Sequence, residues 1–138
     1  MSQYEGFVFS LPREMIERAI SEKRDIFVKY CSWDIRPNRV LYLYDTGEKG
    51  SRQIIARANI SSVDRVPAKD VWERFESRII PNKKEYEDYI SERESREVVV
   101  MELDELSYLN EPADPPGNIT VAGLTLDKER HQKIKDQI

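Results

Sequence analysis

Apolar positions along this chain recur with two different periods, and the changes of period divide it into elements. Gly6-Phe7-Val8-Phe9-Ser10 reads as a short strand. Pro12 then opens a helix, where its missing N–H leaves nothing unpaired in the first turn. Ser10 is placed to cap that helix, and Leu11, Met15, Ile16, Ala19 and Ile20 form one stripe at helical spacing that ends near Arg24. Residues 25–30 are β-branched and aromatic, hence a strand; 35–38 form a turn and 39–44 another strand. Residues 45–51 are a glycine-containing connection. From Arg52 the pattern alternates, with Ile54, Ala56, Ala58 and Ile60 on one face of a bent strand that runs to Val66.

Pro67 starts helical territory. Val71, Trp72, Phe75, Ile79 and Ile80 make an apolar stripe that Pro81 interrupts, and Asn82 with Glu85 three places on has the form of a capping box. Tyr86, Tyr89 and Ile90 line the inner side of the helix that follows. Residues 98–103 are a central strand, 110–117 a proline-rich loop, 119–126 a weaker strand, and the charged end from Asp127 a short helix or a frayed tail. Helices clustered between strands, without a βαβ rhythm, predict an α+β fold built on a small mixed or antiparallel β-barrel with flanking helices. At 138 residues the chain is expected to form a single domain, 1–138, with no internal repeat.

Charged residues make up 35% of the chain against about 25% in ordinary domains, and the two signs are interleaved, which predicts a soluble surface rich in ion pairs. The single cysteine, Cys31, cannot form a disulfide within the chain and fits a reducing compartment. The first residues carry no basic-then-apolar signal, and no apolar run approaches the roughly 20 residues of a membrane span, so a cytoplasmic protein with no membrane partner is expected. The net charge of −4 argues against indiscriminate nucleic-acid binding over the whole surface. Its distribution changes the picture: residues 1–65 carry 11 Lys/Arg and 9 Asp/Glu, whereas residues 66–138 carry 11 and 17. An anionic partner is therefore expected on the first half.

Few motifs carry chemistry. His131 has neither a Cys nor a second His to share a metal, so no metal and no other cofactor is expected, and a Ser-His-Asp arrangement would have to use that same tail residue. Cys31 reads as a structural thiol. Gly47-Glu48-Lys49-Gly50-Ser51 has the composition of a phosphate loop without its spacing. Tyr30, Trp33, Tyr42 and Tyr44 lie among Lys29, Arg36, Arg39, Lys49 and Arg52, a mixture that supplies stacking faces and phosphate partners. Tyr42 and Tyr44 read as core; Trp33, between Ser32 and Asp34, is expected to be an exposed platform.

These stretches also carry a resemblance. The helix Pro12-Arg13-Glu14-Met15-Ile16-Glu17-Arg18-Ala19-Ile20 with the strand after it, the strand 39–44 preceded by Pro37-Asn38, and the loop and strand 47–58 resemble the PUA-like superfamily. Within it the chain looks like the ASCH domains and an archaeal PUA-like family, whose closing strand Ile119-Thr120-Val121-Ala122-Gly123-Leu124 is similar to. The resemblance implies a β-barrel with helices at its flank and binding of RNA or a modified nucleotide in a cleft beside the barrel. Some ASCH members are amidohydrolases acting on acylated cytidine, with a Gly-x-Lys-x-x-Glu-x-Arg-like run. Lys23 matches its lysine and Lys29 stands where an arginine is common, but Ile26 and Phe27 occupy the place of the hydroxyl or acidic group.

The leading expectation is a non-catalytic RNA-binding module. Lys23, Lys29, Lys49 and Arg52 would contact phosphate or base edges, Trp33 would stack a base, and Ser51 with the backbone near Gly50 would bind an oxyanion. The alternatives are an enzyme acting on a modified nucleoside, with Lys23 as base or nucleophile and a carboxylate such as Glu102 assisting, and a protein-interaction module using the acidic helical face of residues 68–94 around Trp72 and Phe75. Oligomeric state is not written in the sequence.

Overall fold

The computed structural model describes residues 4–46 and 51–138. Six strands and four helices follow one another: β1 Gly6–Leu11, α1 Arg13–Ser21, β2 Ile26–Lys29, β3 Arg39–Asp45, β4 Ile54–Pro67, α2 Ala68–Phe75 with a 3₁₀ turn Glu76–Arg78, α3 Lys83–Ile90, β5 Glu97–Ala113, β6 Leu124–Leu126 and α4 Lys128–Lys135. The strands form one mixed sheet in the order β2-β5-β4-β3-β1-β6, in which β1 and β3 run parallel and every other pair is antiparallel.

The expected α+β class holds, but the barrel does not close. β1 and β2 stand four places apart in the sheet, about 19 Å if it were flat, yet the rings of Phe9 and Phe27 lie 5.4 Å apart. The sheet therefore curls until its ends meet through side chains. Three register irregularities between β4 and β5 supply the added twist. Closure stops there because Ile79 and Ile80 lie against β2: Ile79 bridges Ile26, and the Ile80 N–H donates to the Ile26 carbonyl at 3.0 Å. β6 is left as the other edge, without a strand partner of its own beyond β1.

Inside the curl, Phe7, Phe9, Phe27, Leu41 and Leu43 pack with Ile16 and Ala19 of α1. Outside, α2 and α3 cover one stretch of sheet through Val71, Tyr86 and Ile90, and α4 covers another through Ile134. One irregularity corrects a predicted face. Ile55, Ala56, Ala58 and Ile60 point inward, whereas Ile54 joins the outer cluster with Val8 and Tyr42, because the register shifts between Ile54 and Ala56. β5 also runs through much of the stretch expected to be a loop, pairing with β4 as far as Ala113.

Helix ends follow local chemistry. The Asn82/Glu85 capping box forms in both directions, each bond 2.8 Å long. Asp127 accepts from the Arg130 N–H and makes the charged end a helix rather than a tail. Ser10 does not cap α1; it belongs to β1, and the Pro12 carbonyl takes the Met15 and Ile16 N–H groups instead.

Gly6 lies where β1 and β3 come closest, and a Cβ there would overlap the carbonyl oxygen and a methyl group of Val40. Gly6→Ala is expected to cost about 1–3 kcal/mol in chemical denaturation, whereas Gly117→Ala, facing only Leu124 methyls at 3.8 Å, should change little.

Candidate functional site

The seam where the curled sheet fails to close is a cleft of about 240 Å³. One wall is the β1–α1 corner, with Ser10, Leu11, Pro12 and Met15; the floor is Phe27, Val28 and Lys29 of β2; the other wall is Ile80, Pro81, Glu85, Tyr86 and Tyr89. Each wall follows from sequence. Pro12 ends β1 and sets the helix corner, and Pro81 ends the Ile79-Ile80 segment before the capping box restarts α3.

Lys29 is the second inward position after Phe27 on β2, so the curl carries its ammonium to the mouth of the seam. There it donates to the Val121 carbonyl at 2.8 Å and stands 5.8 Å from the centre of the Phe9 ring. Burial pushes the ammonium below the usual lysine value, and the positive charge of Arg93 adds to the shift. Among the described residues it forms no ion pair. Glu85 is committed: its Oε1 accepts from the Asn82 N–H at 2.8 Å and pairs with Arg18 at 2.5 Å. The Tyr89 hydroxyl accepts from the Tyr30 N–H at 2.9 Å, and burial raises its pKa.

The other expected site residues are scattered. Trp33 is not an exposed platform: it is partly buried and stacks on Phe7 and Phe9, each at 6.0 Å, while Arg65 holds the Cys31 and Trp33 carbonyls in place. Lys23 is exposed in the turn after α1, at φ 55°, and takes no part in lining the cleft. Glu102 pairs with Arg78 at 3.3 Å rather than with any lysine. Ser51 and Arg52 are exposed, but the Ser51 N–H donates to the buried carboxylate of Asp45, which also binds Arg13 at 2.7 Å beside the cleft corner. Lys49 and Gly50 lie outside the described residues. Trp72 and Phe75 are partly buried and pack onto the cluster beneath α2 and α3. The sequence reading missed Tyr89, Arg93 and Arg96, whose side chains gather around Tyr30 at the Lys29 end of the cleft.

His131 is not isolated. Its Nε2 meets the Tyr42 hydroxyl at 2.8 Å and its Nδ1 meets Glu5 Oε1 at 2.7 Å. With Glu5 ionised, Nδ1–H donates to the carboxylate and Nε2 accepts the phenol proton. Tyr42 is fully buried, so this chain of bonds clips α4 to the sheet. Among the described residues no group of three or more His, Cys, Asp or Glu is placed to hold a metal, and no helix is long and apolar enough to cross a membrane.

Two measurements test these assignments. Lys29→Met removes the bond to Val121, and at about 1.5 kcal/mol, the low end for a charged hydrogen bond, should speed amide exchange at Gly123 roughly tenfold while leaving the fold intact. The His131 bond holds the Glu5 carboxyl below the usual glutamate value. Its stabilisation is therefore present above about pH 4.3 and fades as the pH falls from there toward the lower folded value. Thermal melts of Glu5→Gln should lie below wild type at pH 7 and converge with it in acid.

Residues 4–128 match the family described as "Domain of unknown function (DUF365)". No protein of curated function matches the sequence. A serine-to-alanine variant of ASCH from Zymomonas mobilis is 16% identical, superposes with a TM-score of 0.82 and shares 99% coverage of each chain. Unaltered ASCH from Zymomonas mobilis is 16% identical with a TM-score of 0.80, covering 96% of this chain and 94% of that one. The hypothetical protein PH0355 is 17% identical with a TM-score of 0.52, over 70% of this chain and 95% of its own. At these identities the likeness is one of fold, and it is the ASCH-like, PUA-like fold that the seam, the curled sheet and the flanking helices make up. The chain belongs to the DUF365 family.

Proposed function

We propose that this chain is an RNA-binding module, one PUA-like domain that receives a single base of a strand in the cleft between β1, β2 and α3. The observation that carries the reading is the cleft itself: a small, mainly apolar slot whose one ammonium, Lys29, is half-buried and pairs with no carboxylate among the described residues. Its volume of about 240 Å³ falls below the ~300–1,000 Å³ of sites for drug-sized ligands and suits one ring system. Tyr89 and Phe27 offer aromatic surface, and stacking a base on such a face contributes about 1–3 kcal/mol. Lys29 then supplies a donor for a carbonyl or ring nitrogen on the base edge.

The hydrolytic alternative moves from Lys23 to Lys29, the lysine that lies in a cleft and whose burial favours the neutral amine. Glu85, the carboxylate in the same cleft, already serves Arg18 and the N-cap of α3, which ill suits it to shuttle protons. Binding without turnover is therefore the stronger reading.

Fluorescence anisotropy with short single-stranded and hairpin RNAs at two salt concentrations tests it. Binding should weaken as salt rises, by about 0.7 log units per tenfold salt for each phosphate contacted. Lys29→Ala/Arg52→Ala should reduce affinity at least tenfold, and unchanged binding in that variant would remove the cleft from consideration. Chromatography after incubation with an N4-acylated cytidine covers the alternative: turnover that Lys29→Met abolishes would replace binding with hydrolysis.

A further inference from the structure

Arg93 and Arg96 come from the acidic half of the chain, yet both settle against one ring. The Arg93 guanidinium stands 4.1 Å from the centre of Tyr30 and 5.2 Å from Tyr89, and that of Arg96 stands 5.6 Å from Tyr30. The ring is fixed, since the Tyr30 hydroxyl donates to the Arg93 carbonyl at 2.8 Å. The turn is fixed as well: Arg96 N–H donates to the Arg93 carbonyl, and the Arg96 and Glu94 carbonyls accept from the first N–H groups of α2.

Neither guanidinium makes an ion pair among the described residues. Glu94 is the carboxylate that faces this ring, and its Oε1 accepts from the Glu92 N–H at 3.2 Å. Arg93 spends one side-chain N–H on the Tyr89 carbonyl, and Arg96 spends none among the described residues. Two guanidiniums set against one ring, with no ion pair among the described residues, gain from an anion that reaches both. Tyr89, under Arg93, is also a wall of the cleft, and Tyr30 directly follows Lys29.

We propose that Arg93 and Arg96 form a phosphate subsite at the Lys29 end of the cleft, receiving the backbone phosphate next to the base that the cleft holds. The placement rests on the base-binding reading above; the affinity for phosphate does not. The stacked guanidiniums offer paired N–H donors to phosphate oxygens, which Lys side chains on loops would not do with the same geometry.

Titrations should use the four nucleosides, their 3′- and 5′-monophosphates and an abasic ribose-phosphate trimer, followed by calorimetry and by the Nε–H resonances of Arg93 and Arg96. The phosphate-bearing probes are expected to shift both resonances in the wild-type protein. Arg93→Gln/Arg96→Gln should weaken those probes at least tenfold and leave the nucleosides unchanged. Because Arg93 also packs on Tyr89, Arg96→Gln alone is measured too, with a melting curve, and should weaken the same probes by a smaller factor. Nucleotides bound equally well by wild type and by the variants, with unmoved arginine resonances, would overturn the subsite while sparing the cleft. Failure of every phosphate-bearing probe to bind wild type would overturn it as well. Binding of the abasic trimer with no nucleoside binding would uphold the subsite and remove the base from the cleft.

Discussion

The contact between Phe9 and Phe27 is the constraint from which the rest of this molecule follows. It joins strands that stand four places apart in the sheet, so it exists only if the sheet curls, and Phe7 and Trp33 extend the stack on the inner face. Aromatic pairs of this kind contribute about 0.5–1.5 kcal/mol each beyond the area they bury. Once the ends are drawn together, the free edge of β2 can pair with β6 or with something else. Ile79 and Ile80 take it, the barrel stays open, and the opening becomes the cleft. A strand pairing across that seam would strengthen the sheet and erase the slot.

The same curl decides which charges are left over. Arg18, Arg24 and Arg78 find carboxylates on the surface, where such pairs are individually worth about 0–1 kcal/mol, while Arg13 meets the buried Asp45. Their effect is less to stabilise than to cancel. Lys29, Arg93 and Arg96 form no ion pair among the described residues; the two arginines lie against Tyr30 and Lys29 against Phe9. Under the proposed reading these three would meet an anion at one end of the cleft, on a molecule whose net charge is −4.

The elements were legible because period-2 and period-3.6 patterns are local; the errors arose where a distant partner overrules the local pattern. Ile54 reads as facing with Ala56, and only the irregular pairing with β5 turns it outward. The polar run Asp104-Glu105, Ser107 and Asn110 lacks the look of a strand, yet β4 pairs along it, through bulges, as far as Ala113. Trp33 has polar neighbours on both sides and still turns inward, since Arg65 fixes the loop from 32 residues away. Within the site, Lys29 could be found because it ends an alternating strand. Arg93 and Arg96 could not, because their partner ring lies on the far side of the chain and their own neighbours are acidic. A cation in a glutamate-rich stretch reads as neutralised until the fold shows its carboxylates turned elsewhere.

Lys29 links these strands of reasoning, for its ammonium already has a partner in the Val121 carbonyl. The ammonium carries three N–H donors and spends one on Val121, so a ligand oxygen can draw on a second without displacing the first. Under the proposed reading that added charged hydrogen bond would join stacking and the apolar surface of Leu11, Met15 and Ile80 as a source of affinity at the cleft. A base edge with no acceptor would leave the bond to Val121 as it stands and forgo that contribution, so the same lysine would serve affinity and discrimination together.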